Sequence, residues 1–175
     1  MARLIISCSL DPHSRSRLMA RSARMVLEDS GESVDWLDLQ ETALPMCDGN
    51  SVYDQVGVQQ IGKRVRDADG IILAAPVYNF DVNAAAKNLV ELTGKAWQDQ
   101  VVGFLLAAGG QSSYMSVMSF ANSLMLDFRC LILPKFVYAT GQAFEGDQLA
   151  DAMVSARITE LAESLVRIAD VVRRK

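Results

Sequence analysis

Ile71-Ile72-Leu73-Ala74-Ala75-Pro76-Val77-Tyr78-Asn79 is the stretch whose reading decides the fold. Five apolar residues in a row, bounded by Asp69-Gly70 and a proline, read as a strand buried on both faces. Strands of a parallel sheet look like this because helices cover both sides. The residues that follow sit where such a sheet opens a crevice beyond the carboxyl ends of its strands, the usual place for a ligand. A proline, a tyrosine and an asparagine there suit a flat, hydrogen-bonding ligand such as a flavin.

Working outward, strand-like and helix-like segments alternate. Strands are expected at Arg3 to Cys8, Ser33 to Leu39, Ile71 to Ala75, Val101 to Ala108 and Cys130 to Tyr138, the last interrupted by Pro134. Helices are expected at Arg15 to Asp29, Val56 to Asp67, Asn83 to Leu92, Tyr114 to Phe128 and Asp147 to Arg174. The last carries Leu149, Met153, Ile158, Leu161, Leu165, Ile168 and Val172 at helical spacing, and Arg173, Arg174 and Lys175 suit its negative dipole end. This alternation predicts an α/β fold: a flavodoxin-like three-layer α/β/α arrangement around a five-stranded parallel sheet of order 2-1-3-4-5. That order puts the switch point between strands one and three. The loops after strands one, three and four should then line one crevice.

Composition limits the function. A chain of 175 residues reads as a single domain spanning 1–175. Its net charge of -4 lacks the basic stripe of a nucleic-acid binder. Cys8, Cys47 and Cys130 form no CxxC or zinc pattern, and with no leader or membrane-length run in view a cytoplasmic setting is expected.

The loop after strand one contains neither GxGxxG nor GxxxxGK[ST]. It offers Ser9, His13, Ser14, Arg15 and Ser16 at the entrance to a helix. Free backbone N–H groups and the positive dipole end favour an anion there, and hydroxyls with an arginine suit a phosphate monoester. Ser14 alone would be explained as the N-cap, and Asp11 opposes an anion unless its carboxylate points to solvent. The loop after strand four, Gly109-Gly110-Gln111, lets backbone approach a ring closely; its plainer reading is a strand-to-helix turn. Lone His13 and apolar Cys8 are not expected to act in acid–base or redox chemistry.

These segments resemble the flavodoxin-like NAD(P)H-dependent FMN reductases, a family that includes quinone, chromate and azo-dye reductases. The resemblance rests on Cys8 to Ser14, similar to the family's Gly-Ser-x-Arg-x-x-Ser phosphate loop, and on Asp69 to Asn79, similar to its Ala-Asp-Gly-Ile-Ile-x-Ala-x-Pro-x-Tyr-Asn segment. Asn83 to Asn88, Ala108-Gly109-Gly110, and Asp38-Leu39 with Leu44-Pro45 and Asp48 add to it. Cys8 stands where the family often has glycine, and Asp11 where many members have arginine. The resemblance implies FMN as cofactor, its phosphate at Ser9, Ser14, Arg15 and Ser16 with His13 beside it. The ring would lie against Pro76, Val77, Tyr78 and Asn79 and over Gly109, Gly110 and Gln111. It further implies NADPH or NADH as co-substrate, a small-molecule electron acceptor (quinone, flavin, metal oxyanion or azo compound), no nucleic-acid or membrane partner, and a homodimer or homotetramer. Two other readings stand beside it: an FMN-binding electron carrier without nicotinamide activity, and a flavodoxin-like binding protein that has lost its flavin.

Overall fold

The computed structural model describes residues 2–173. Its centre is a parallel sheet of β1 (Arg3–Ser7), β2 (Val34–Asp38), β3 (Ile71–Tyr78) and β5 (Val101–Ala108), completed by β6 (Leu131–Ile132) and β7 (Val137–Thr140). The order is β2-β1-β3-β5, and β6 and β7 both pair with β5. The expected order 2-1-3-4-5 therefore holds, with the fifth strand in two pieces. Pro134 has no N–H for a ladder, and Lys135 adopts φ 57°, so the chain leaves the sheet between the pieces.

β3 and β5 form the middle of the sheet. Residues 71–77 and 101–108 are all buried, as strands covered on both faces must be. One face packs Leu4, Ile6, Leu73, Phe104 and Leu106 against α2 (Val56–Asp67) and α3 (Ala84–Thr93). The other packs Ile5, Ile72 and Leu105 against α1 (Arg15–Asp29) and α5 (Ala152–Arg173). Gly70 and Gly103 lie under α5, where an added Cβ would sit 3.1–3.2 Å from Leu165 and Leu161. Glycine there lets the helix seat closely.

Several boundaries differ from the sequence reading. β3 runs on through Pro76 to Tyr78 and turns at Asn79-Phe80 into a short antiparallel β4 (Asp81–Val82). Pro76, Val77 and Tyr78 therefore belong to the strand and not to the loop after it. The segment expected as one helix from Tyr114 opens with 3-10 turns over Gln111–Val117 and becomes α4 (Met118–Phe128). The closing helix starts at Ala152, because a hairpin of β8 (Phe144–Glu145) and β9 (Gln148–Leu149) precedes it. Leu149 matched the helical spacing only because the hairpin packs against the same core. Arg174 and Lys175 lie outside the described residues.

Candidate functional site

A cavity of about 360 Å³ opens at the switch point between β1 and β3. That volume lies in the range of small-molecule sites. Three segments line it: Ser9, Asp11, His13, Ser14, Arg15 and Ser16 after β1, Pro76 to Tyr78 at the end of β3, and Ala107 to Gly109 at the end of β5. Nine of the twelve residues expected from sequence therefore share one cavity. Asn79 and Gly110 follow lining residues directly, Gln111 comes one residue later, and all three are outside the lining.

The first segment is held tightly. Ser14 caps α1, its hydroxyl accepting from the Arg17 backbone N–H at 3.3 Å, and it lies 2.9 Å from the Ser16 hydroxyl. Both serines are buried. The Ser9 hydroxyl accepts from the Asp11 N–H at 3.2 Å, and the Asp11 carboxylate, on an exposed residue, accepts from the His13 N–H at 2.9 Å. Asp11 thus closes a local turn, using for itself one N–H of the loop.

Arg17, a residue that sequence reasoning passed over, organises this loop. Its guanidinium donates to the backbone carbonyls of Ser9 (3.0 Å), Asp11 (2.5 Å) and Pro12 (3.2 Å). It also pairs with both carboxylate oxygens of Asp38 at the end of β2, at 2.6 and 3.1 Å. Arg17 is 4% exposed and Asp38 3%. A planar five-donor fork can satisfy three carbonyls and a carboxylate at once, which an ammonium could not. The signal was present in the sequence. Arg17 falls three residues before buried Ala20 and ten before buried Leu27, on the core-facing side of the helix.

Arg15 instead points outward. Its guanidinium lies over the Phe144 ring at 5.8 Å and against Gly141, where an added Cβ would meet Nη1 at 2.8 Å. The cation therefore stands at the cavity edge, braced by the turn after β7.

At the opposite end, Asn83 ties the β3–β4 hairpin to the first loop. Its Nδ2 donates to the Cys8 carbonyl at 2.7 Å, and its backbone N–H to Pro76 at 3.2 Å. The glycine turn is anchored from below, the Tyr138 hydroxyl donating to the Gly110 carbonyl. Tyr114 packs edge-on to Tyr138, ring centres 5.6 Å apart. An added Cβ at Gly109 or Gly110 would meet nothing within 4 Å, so that backbone faces open space. Cys8 is fully buried, and burial, reinforced by the Asp38 carboxylate, pushes its thiol well above the ordinary range. It is core, as expected.

The site thus combines buried hydroxyls at a helix N-terminus with a cation at the edge, and a strand end with open glycine backbone across from them. The first end suits a phosphate and the second the edge and face of a ring.

Known proteins similar to this chain point to one family. The family model described as NADPH-dependent FMN reductase matches residues 1–145. The chain is 28% identical over 139 residues to an NAD(P)H-dependent FAD/FMN reductase of Geobacillus thermodenitrificans, covering 77% of this chain and 75% of that protein. It is 25% identical over 145 residues to an NADPH:quinone oxidoreductase of Arabidopsis thaliana, covering 77% and 74%. Among solved structures, an oxidoreductase from Corynebacterium diphtheriae superposes with a TM-score of 0.77 at 20% identity, covering 100% of this chain and 98% of that one. A flavoenzyme NAD(P)H:(acceptor) oxidoreductase from Paracoccus denitrificans gives 0.78 at 13% identity, covering 97% of each. These two share the fold.

Proposed function

The chain belongs to the NADPH-dependent FMN reductase family and is an FMN-dependent NAD(P)H oxidoreductase, and we propose that the switch-point cavity is where it holds the flavin. The observation that carries this assignment is the pairing of the two ends within one cavity. Buried Ser14 and Ser16 hydroxyls at the start of α1 lie across from Pro76 to Tyr78 and Ala107 to Gly109.

The donor set fits the cofactor. Ser9, Ser14 and Ser16 supply O–H groups to a phosphate, and the first turn of α1 supplies N–H groups and its positive dipole end. Arg15 supplies charge from the cavity edge, with His13 beside it. Arg17 and Asp38 hold the loop in shape. Pro76, Val77, Tyr78 and Asn79 present strand-end backbone and an aromatic ring to the flavin edge. Gly109, Gly110 and Gln111 present backbone to its other side, steadied through Tyr138.

When bound, FMN supplies the redox chemistry, accepting a hydride from the nicotinamide and delivering electrons to a second substrate. The residues of the chain bind, stack and orient, which shortens the transfer distance and removes the entropic cost of encounter. No side chain in the cavity needs to act as a general base.

We read residues 1–175 as a single flavodoxin-like domain acting on small-molecule acceptors. The exposed Met115, Met118, Met125 and Leu126 on α4 and the turn before it support a homodimer or homotetramer. No helix among the described residues is long and apolar enough to cross a membrane. Three free cysteines agree with a reducing, cytoplasmic setting.

The test is anaerobic. The purified protein is mixed with FMN and titrated with NADPH and then NADH while the flavin absorbance is followed. Rapid bleaching is expected. Flavin that binds and stays oxidised points to an electron carrier, and flavin that does not bind points to a protein without a flavin.

A further inference from the structure

The tip of the β3–β4 hairpin breaks a local rule. Tyr78 pairs directly with Asp81, so the turn consists of Asn79 and Phe80 alone. Both have positive φ, 50° and 64°. A two-residue turn of this hand favours Asn followed by Gly, because the second position crowds any Cβ. Asparagine suits the first place. Phenylalanine in the second is strained, and it stays 57% exposed.

The placement is nonetheless firm. Asn83 fastens the hairpin to the loop after β1, and the Ser119 hydroxyl of α4 donates to the Asp81 carboxylate at 3.1 Å. Phe80 thus follows Tyr78 by two residues on a braced tip, and Tyr78, itself 56% exposed, lines the cavity. A strained, exposed aromatic on a fixed support marks a functional position and is open to something outside the chain's own packing.

We propose that Phe80, two residues beyond the cavity-lining Tyr78, is a specificity-determining residue for the electron acceptor, its ring gripping planar aromatic acceptors as they approach. The inference rests on the assignment of that cavity to FMN. For a quinone the balance is one hydride from NADPH and one proton from water for each hydroquinone formed. The ring contributes by contact with the flat face of the acceptor, in the offset or edge-on geometries aromatic pairs prefer.

The test uses Phe80→Gly, which creates the favoured Asn-Gly turn, and Phe80→Trp, which keeps an aromatic ring. Four quantities are read on the FMN-loaded enzyme: the melting temperature, the molecular mass by light scattering, anaerobic bleaching by NADPH, and the ratio of kcat/KM for 1,4-naphthoquinone to that for ferricyanide. Phe80→Gly is expected to raise the melting temperature by about 2 °C and to lower the ratio about tenfold. Phe80→Trp should hold the ratio near that of the wild type. An unchanged ratio in Phe80→Gly overturns the proposal. So does a lower melting temperature, which would mean that the ring packs within its own chain, or a changed molecular mass by light scattering, which would mean that it packs between copies. Wild-type protein that fails to bleach overturns the cavity assignment as well. Wild-type bleaching with an unchanged ratio in the variant overturns the role of Phe80 alone.

Discussion

The two ends of the cavity are built on opposite plans. At the end we assign to the phosphate the serine hydroxyls are buried and already fixed. Ser14 and Ser16 sit 2.9 Å apart, and three loop carbonyls converge on one guanidinium that a buried carboxylate holds in place. At the ring end the groups are exposed: Tyr78, Phe80, Gly109 and Gly110 stand on a two-residue turn and an open glycine bend. The first arrangement lowers the cost of binding by having its ligand geometry preset. The second leaves room above the reacting face. Such a division, on different strands of one sheet, suits the reading we propose, an enzyme that keeps one cofactor and meets more than one partner substrate.

The sharpest way to break this contrast is to remove Asp38. Asp38→Ala leaves the Arg17 guanidinium buried and without its carboxylate, a change that costs about 3–5 kcal/mol. Urea unfolding should register that loss, and FMN binding should weaken with it because the loop carbonyls lose their common anchor. Asp38→Asn should cost less, since an amide oxygen still accepts one N–H. If Asp38→Ala unfolds like the wild type and binds FMN equally well, the phosphate end is not preset and the two ends do not differ.

Arg15 tests whether the cation at the edge belongs to that end. Arg15→Ala should weaken FMN about tenfold or more while changing riboflavin little, because a charge-assisted hydrogen bond to phosphate is worth about 1.5–3 kcal/mol. Fluorescence quenching of the two flavins measures the ratio. Equal losses for both would move Arg15 out of the phosphate site. Gly141→Ala should push in the same direction, since its methyl would fall on the Arg15 guanidinium.

Cys8 offers a smaller effect of stated sign. Its thiol is held protonated in the folded state by burial, with the Asp38 carboxylate adding to the shift. In the unfolded chain the same thiol ionises near pH 9. The folded state is thus favoured below pH 9, and stability falls as pH rises above it, by about 1.4 kcal/mol per unit for this one proton. Cys8→Ala should flatten that slope in unfolding curves taken between pH 8 and 10. An unchanged slope would show that the interior beneath the phosphate loop is open to water.

Much of this fold was legible in the sequence because it depends on burial. The apolar runs at 71–75 and 101–108 lie where both faces of the sheet are covered, which marks a parallel centre, and the alternation of strands and helices around them supplies the order. The serines after β1 were legible because helix entrances have a known chemistry. The supports were harder to see. Arg17 sits on the core-facing side of its helix, but nothing local marks Asp38, 21 positions on, as its buried partner. Tyr138 reads as one more strand aromatic until its hydroxyl is found on Gly110. The β3–β4 hairpin hid for a different reason: its turn is Asn-Phe, and the glycine that would have announced it is missing. The β8–β9 hairpin hid because Leu149 precedes Met153 by one helical turn.

Tyr138 is expected to give the smallest effect and tests the ring end directly. Tyr138→Phe deletes only the hydroxyl that donates to Gly110, leaving the stacked rings of Tyr114 and Phe136 in place. The Gly110 backbone is exposed, so water can replace the lost donor, and the change in stability should be about 1 kcal/mol or less. Anaerobic bleaching by NADPH should slow modestly while the affinity for FMN stays near that of the wild type, because the phosphate end supplies the anchorage. A loss of FMN affinity as large as that in Arg15→Ala would mean that the glycine bend is held as rigidly as the serine loop. The ring end would then be preset too, and the latitude for different acceptors would have to come from the Tyr78–Phe80 tip alone.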